Sequence, residues 1–262
     1  MLKVRPEPYR RWPSFVTLIE KEILRFRKIA LQTIAAPVLM GLLYMMVFGS
    51  VMSDQMKIDT SVSYQSFLIP GLVMMTLLQN AFGNSASSIL GAKIMGSIVY
   101  VQLPPLSGWQ LACSFIGASI LRGLVCGFGV YAVCLFWSAP AVQSWTWVIC
   151  FAVMGAAFMG SLGVICGLWA EKFDQMGAFQ TFFIMPLTFL SGVFYSVSQL
   201  PPIWAKLSMF NPFFYIIDGF RYGFFAQSDF NPFVSLAVLS VFCLTATGLA
   251  TLLLVKGYKI RK

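Results

Sequence analysis

Apolar residues are gathered into long charge-free runs at 29–53, 60–92, 94–121, 123–170, 175–205 and 230–255. A membrane-spanning helix needs about 20 largely apolar residues to cross roughly 30 Å of hydrocarbon. The run from Gly123 to Ala170 is too long for one such helix, and Ser138-Ala139-Pro140, followed by Trp145 and Trp147, reads as an interfacial turn dividing it. The pattern therefore predicts spanning helices near 29–51, 64–86, 109–137, 146–169, 177–197 and 232–255. This is an all-α integral membrane domain of six transmembrane helices with both ends on the same side. Ahead of it, Phe15, Leu18, Ile19, Ile23 and Phe26 recur every three or four residues, while Lys21, Arg25 and Lys28 fall on another face. After Pro13 and a candidate Ser14 cap, this predicts an N-terminal amphipathic interfacial helix, serving as a lipid anchor or as a docking surface for a cytoplasmic partner. Residues 1–28 carry eight positive and three negative charges and no apolar h-region, so they are not a cleaved signal peptide.

Composition agrees with that reading. Of 262 residues, 58% are hydrophobic and 10% charged, too few polar groups to cover a soluble globule. Histidine is absent, which removes histidine-based acid/base and nucleophilic catalysis and every His-ligated metal or haem site. The six cysteines lie in apolar stretches without a C-x-x-C pair and read as small packing residues.

Charge sets orientation. Fourteen of the eighteen Lys and Arg residues fall at the two termini or in the two loops on their side, against Lys57, Lys206 and Arg221 on the other, with Arg122 counted in neither. Both termini are expected in the cytoplasm. The net charge of +9 then reflects topology and affinity for anionic headgroups, and no structured basic domain supports nucleic-acid binding. The expected organisation is a cytoplasmic segment 1–28, one transmembrane domain 29–255 and a basic tail 256–262.

None of the nine acidic residues falls in the middle of a predicted span. Ion-coupled transporters usually need intramembrane carboxylates or repeated halves with broken helices, and lipid-modifying metalloenzymes need clustered acids. Neither pattern is present. No Gly-Lys dipeptide occurs, so there is no Walker A loop, and ATP-driven transport would require another polypeptide to bind the nucleotide.

Residues 190–225 read LSGVFYSVSQLPPIWAKLSMFNPFFYIIDGFRYGFF. This resembles the permeases of the ABC-2 type transporter family, whose fifth helix ends in an S-G-V-F turn followed by L-P, a short helix, N-P and an aromatic-rich Asp/Arg stretch. The matching residues are Ser191, Gly192, Val193, Phe194, Leu200, Pro201, Asn211, Pro212, Asp218, Arg221 and Tyr222. The six-helix plan, the N-terminal helix and IPGLVMM (Ile69 to Met75) extend the likeness over nearly the whole chain. Within the family, Asn80 to Lys93 and Gly219 to Phe224 look most like the YadH-like inner-membrane permeases of Gram-negative bacteria.

The resemblance implies a bacterial inner-membrane exporter subunit that moves an amphipathic cargo such as a lipid-linked glycan, glycolipid or hydrophobic drug. It implies no catalytic residue and no cofactor on this chain. ATP and Mg belong to a separate ATPase subunit present in two copies, and a second permease subunit completes a homodimer or a pair of related chains, with membrane lipids around it. An ATP-independent embedded enzyme or scaffold is the rival reading. The first cytoplasmic loop, 87–108, occupies the family's coupling position, with Lys93, Tyr100, Leu103, Pro104, Pro105 and Leu106 as contact residues and Glu171 and Lys172 from the second loop. Relatives often carry charges just before the proline end, where this chain has Ile98 to Gln102. Coupling is therefore expected through packing by Tyr100, Leu103 and Leu106, with little contributed by Lys93.

Several elements have a physical reading of their own. Two short helices split by Asn211-Pro212 and carrying charges cannot span the bilayer, so residues 199–227 are expected as an outer-side re-entrant helical hairpin between helices five and six, acting as an outer gate. Asp218 and Arg221, three apart, can pair locally on it. Arg122 lies deep in the third span and must be satisfied by backbone carbonyls or meet an anionic substrate group or gating partner. Gly123/Gly127 and Gly163/Gly167 form GxxxG pairs suited to packing within the subunit or to a dimer seam.

Overall fold

The computed structural model describes residues 11–28, 30–51, 63–103 and 106–259. Pro104 and Pro105 of the expected coupling loop lie outside the described residues, as do residues 1–10, 52–62 and the end of the basic tail. The described residues form helices joined by short connections. Five are long and apolar enough to cross a membrane: α2 (Ala30–Val51), α3 (Tyr64–Ile94), α5 (Gly108–Cys134), α6 (Trp145–Trp169) and α11 (Pro232–Lys256). Around them lie α1 (Arg11–Lys28), α4 (Ile98–Gln102), α7 (Phe173–Phe179), α8 (Met185–Phe189), α9 (Pro202–Met209) and α10 (Pro212–Phe225).

Helix ends follow local chemistry. Asn211 and Asn231 each accept a hydrogen bond from the amide two residues on, at 3.0 Å, and each is followed by a proline in the first turn, where no amide partner is needed. Gly257 closes α11 in the left-handed conformation.

The centre of the bundle is α3, packed between α5 and α6 through small residues. A Cβ on Gly123 would stand 3.0 Å from the Leu77 carbonyl oxygen, and one on Gly167 would stand 2.9 Å from that of Ala86. At Gly163 it would collide with Ser85 Oγ and the Phe82 carbonyl. Both GxxxG pairs are thus consumed inside the subunit, each admitting α3 at close range.

The fifth expected crossing differs from its sequence prediction. Residues 173–189 run as α7, a π turn over Gln180–Ile184, and α8, ending eight residues before the predicted 197. Pro186 has no N–H to offer the preceding turn, and the ladder widens into the π turn immediately before it.

The stripe of α1 faces the bundle. Phe15 lies 6.3 Å from the Trp109 ring, Leu18 packs with Ile89, Ala112 and Phe115, and Glu22 and Arg25 reach Ser88 and Asn84. These contacts advance along α5 and retreat along α3, so α1 runs beside α5 rather than across its end.

Candidate functional site

At one end of the bundle the segments carrying the family likeness converge on the break after α8. The chain there turns through Gly192 at φ +82°, which a side chain would strain. The carbonyls left unpaired by the break are met from elsewhere: Asn211 Nδ2 donates to Leu187 O at 2.6 Å, Ser208 Oγ to Leu190 O at 3.1 Å and Arg221 Nη2 to Gly192 O at 2.8 Å. From α3, Tyr64 Oη donates to Phe194 O at 3.0 Å, and Gly71 leaves room for the Val193 carbonyl, 2.5 Å from where its Cβ would stand. The IPGLVMM and S-G-V-F segments therefore touch each other. The Arg221 guanidinium also stacks 3.8 Å above the Phe67 ring, a cation–π contact strengthened by its burial.

Asp218 and Arg221 are not an ion pair. Asp218 turns the other way and accepts the backbone amides of Asp229 at 2.8 Å and Phe230 at 3.2 Å, while Asp229 accepts Val197 N at 2.9 Å and the Ser196 hydroxyl. Spacing puts the two on one helix face, but each is claimed by backbone left over where a neighbouring element ends, and that demand outweighs their mutual attraction. Pro212 opens α10, and half-buried Tyr222 stands edge-on to Trp147 at 5.4 Å.

At the opposite end, α4 turns Ile98 and Val101 inward and Val99 and Tyr100 outward, flanked by exposed Met95 and Leu103, with Tyr100 74% and Leu103 67% exposed. Leu106, another of the expected contact residues, is partly buried and packs against the cluster of Leu18, Val101 and Phe115. Lys93 donates to the carbonyls of Leu168 and Ala170, both at 2.6 Å, and of Gly167 at 3.3 Å. It thus satisfies the open end of α6. Glu171 pairs with Lys259 at 2.9 Å, a bond that raises the lysine's pKa, and Lys172 precedes α7.

Glu22 and Asn84 have roles that the sequence pattern alone did not assign. Glu22 is fully buried, lies 3.3 Å from Lys21 and 3.4 Å from Arg25, and accepts Ser88 Oγ at 2.7 Å. Its signal is a carboxylate four residues after Leu18, within the apolar stripe of α1. Burial lowers the Arg25 pKa against the raising effect of Glu22.

Between α3, α5, α6 and α10 lies an apolar cavity of about 290 Å³, lined by Leu77, Phe128, Tyr131, Trp145, Phe220 and Phe224 among others.

The sequence profile described as ABC-2 type transporter matches residues 13–225. The chain is 36% identical over 250 residues to the inner membrane transport permease YadH of Escherichia coli K12, covering 95% of this chain and 98% of that one. It is 24% identical over 247 residues to nodulation protein J of Rhizobium leguminosarum bv. viciae, covering 92% and 93%. Likeness across nearly the full length of both relatives, on the segments that converge around the break after α8, places this chain in the ABC-2 type transporter family as a membrane permease.

Proposed function

We propose that this chain is the membrane subunit of an ATP-binding cassette exporter in the bacterial inner membrane, with both termini cytoplasmic. The broken helix α7–α8 is its sixth crossing, α1 docks at the cytoplasmic boundary, and residues 199–227 form the outer re-entrant gate. Two permease copies, or this chain and a related one, work with two copies of a separate ATPase that holds ATP and Mg. The observation that carries the reading is the segment around α4: outward Val99 and Tyr100 on the short helix, flanked by exposed Met95 and Leu103, at the end where the basic segments gather, an exposed patch of the kind that marks a protein contact. Its cargo is amphipathic, such as a lipid-linked glycan, a glycolipid or a hydrophobic drug, and the apolar cavity supports that class.

Co-expression with a candidate ATPase and native mass spectrometry tests the assembly. Two copies of each chain are expected, with ATP hydrolysis only in the complex. Hydrolysis by the rigorously purified permease, or a stable complex holding a single permease chain without a related partner, overturns it.

A further inference from the structure

Where the last turn of α1 meets α3 and α5, positive charge is in excess. That turn holds Arg25, Arg27 and Lys28, and Lys21 lies one turn earlier. Glu22 is already engaged by Lys21, Arg25 and Ser88. Glu20 sits on the exposed face of α1. Arg25 spends its terminal nitrogens on Asn84, at 2.8 Å to its backbone carbonyl and 3.0 Å to Oδ1, and on Ser87 Oγ at 3.3 Å. Asn84 in turn donates to Ser119 Oγ at 3.3 Å, one turn before Arg122 on α5.

Arg122 is satisfied only in part. Its Nε is buried without a hydrogen-bond partner, no carboxylate among the described residues pairs with it, and the groups acting on it are the Cys126 thiol one turn on and a second cation, Arg25. One turn further on, Cys126 contacts the Thr33 carbonyl near the start of α2 at 3.7 Å, so Arg122 lies beneath the junction of α1 and α2. Helical side chains lean toward the N-terminus of their helix, which carries this guanidinium toward the end of α5 flanked by α1. Exposed Leu31, at the start of α2, and Leu121, next to Arg122 on α5, add apolar surface. A cation at hydrocarbon depth, repelled by its neighbour, calls for an anion from outside the chain.

We infer that the notch between the last turn of α1 and the middle of α5 binds the phosphate of an anionic phospholipid, from the leaflet in which α1 lies, with Arg122 as its main ligand and Arg25 as the second cation. A guanidinium fork matches two phosphate oxygens, and basic pockets between membrane helices select anionic headgroups. The acyl chains lie along α2 and α5.

The test uses the purified full chain alone in detergent, titrated with phosphatidylglycerol or phosphatidylcholine of identical acyl chains and read by native mass spectrometry. The expected preference for phosphatidylglycerol is about fivefold or more. Arg122→Gln should abolish it, Arg122→Lys should retain part, and Lys256→Gln, at a distant surface cation, should leave it unchanged. Equal binding of the two lipids by the unaltered chain overturns the proposal whether or not the variants fold, as does an Arg122→Gln protein that keeps the full preference. Displacement of phosphatidylglycerol by millimolar inorganic phosphate would assign the notch to free phosphate instead of a lipid.

Discussion

The ammonium of Lys93, in the last turn of α3, lies 2.6 Å from the carbonyl oxygen of Ala170, just past the end of α6. Spacing along the chain cannot reveal this contact, because 77 residues separate the pair. It joins the start of the coupling loop to the connection between α6 and α7. Lys93 is therefore a structural clasp as well as a loop charge, and its removal is expected to cost stability even if it contributes little to coupling.

Lys93→Met should leave the last carbonyls of α6 without their donor. Charge-assisted hydrogen bonds contribute about 1.5–3 kcal/mol, so a stability loss near the lower end is expected for this partly exposed lysine. Thermal unfolding in detergent checks it, with Lys93→Arg retaining most of the stability. Glu171→Ala, which breaks a solvent-exposed pair with Lys259, should change little.

Exchanging Asp218 and Arg221 should not restore what either single reversal destroys. Each side chain serves backbone groups of a different segment, Asp218 the amides of Asp229 and Phe230 and Arg221 the carbonyl of Gly192. Asp218→Arg and the double exchange should fail alike in membrane expression and thermal stability. Recovery in the double variant would mean the two interact directly.

Gly163→Ala should destabilise by about 1–3 kcal/mol, since the new methyl meets the Phe82 carbonyl, which is backbone and cannot swing aside. Gly248→Ala, with open space around it on α11, serves as the contrast and should be neutral or slightly stabilising. Paired unfolding curves separate the two, and equal effects would contradict the close α3–α6 contact.

Glu22→Leu should cost more than its position in an amphipathic surface helix suggests. It removes the only carboxylate that, among the described residues, pairs with Lys21 and Arg25 and orphans the Ser88 hydroxyl, and breaking a buried pair in this way costs about 3–5 kcal/mol. Because Arg25 stays partly exposed, the lower end is expected. Release of α1, read as faster proteolysis between residues 11 and 28, is the measurable sign.

Tyr100→Ala and Leu103→Ala should leave unfolding temperatures unchanged, because both side chains point away from the chain. Either should weaken association with the ATPase by a hot-spot amount of about 2 kcal/mol or more. Co-purification across increasing salt provides the measurement: a contact made by packing persists, whereas one carried by Lys21, Arg25 and Lys28 dissociates.

The sequence by itself determined the membrane-spanning segments with uninterrupted apolar runs and clear stops, since hydrocarbon thickness and charge cost act on any stretch whatever its neighbours. It likewise exposed the S-G-V-F and N-P segments and the stripe of α1, which are patterns of near neighbours. The partners of the polar residues were decided only by tertiary structure. Asp218 and Arg221 looked like a local pair, yet the carbonyl stranded at Gly192 and the amides stranded at Asp229 and Phe230 draw them apart. Leu106, close to Leu103 along the chain, is partly buried against the cluster that holds Leu18, Val101 and Phe115, whereas Leu103 stays exposed. Where helices break, backbone groups go unpaired, and whichever polar side chain folding brings within reach must satisfy them; that assignment depends on distance in space, which spacing along the chain does not encode.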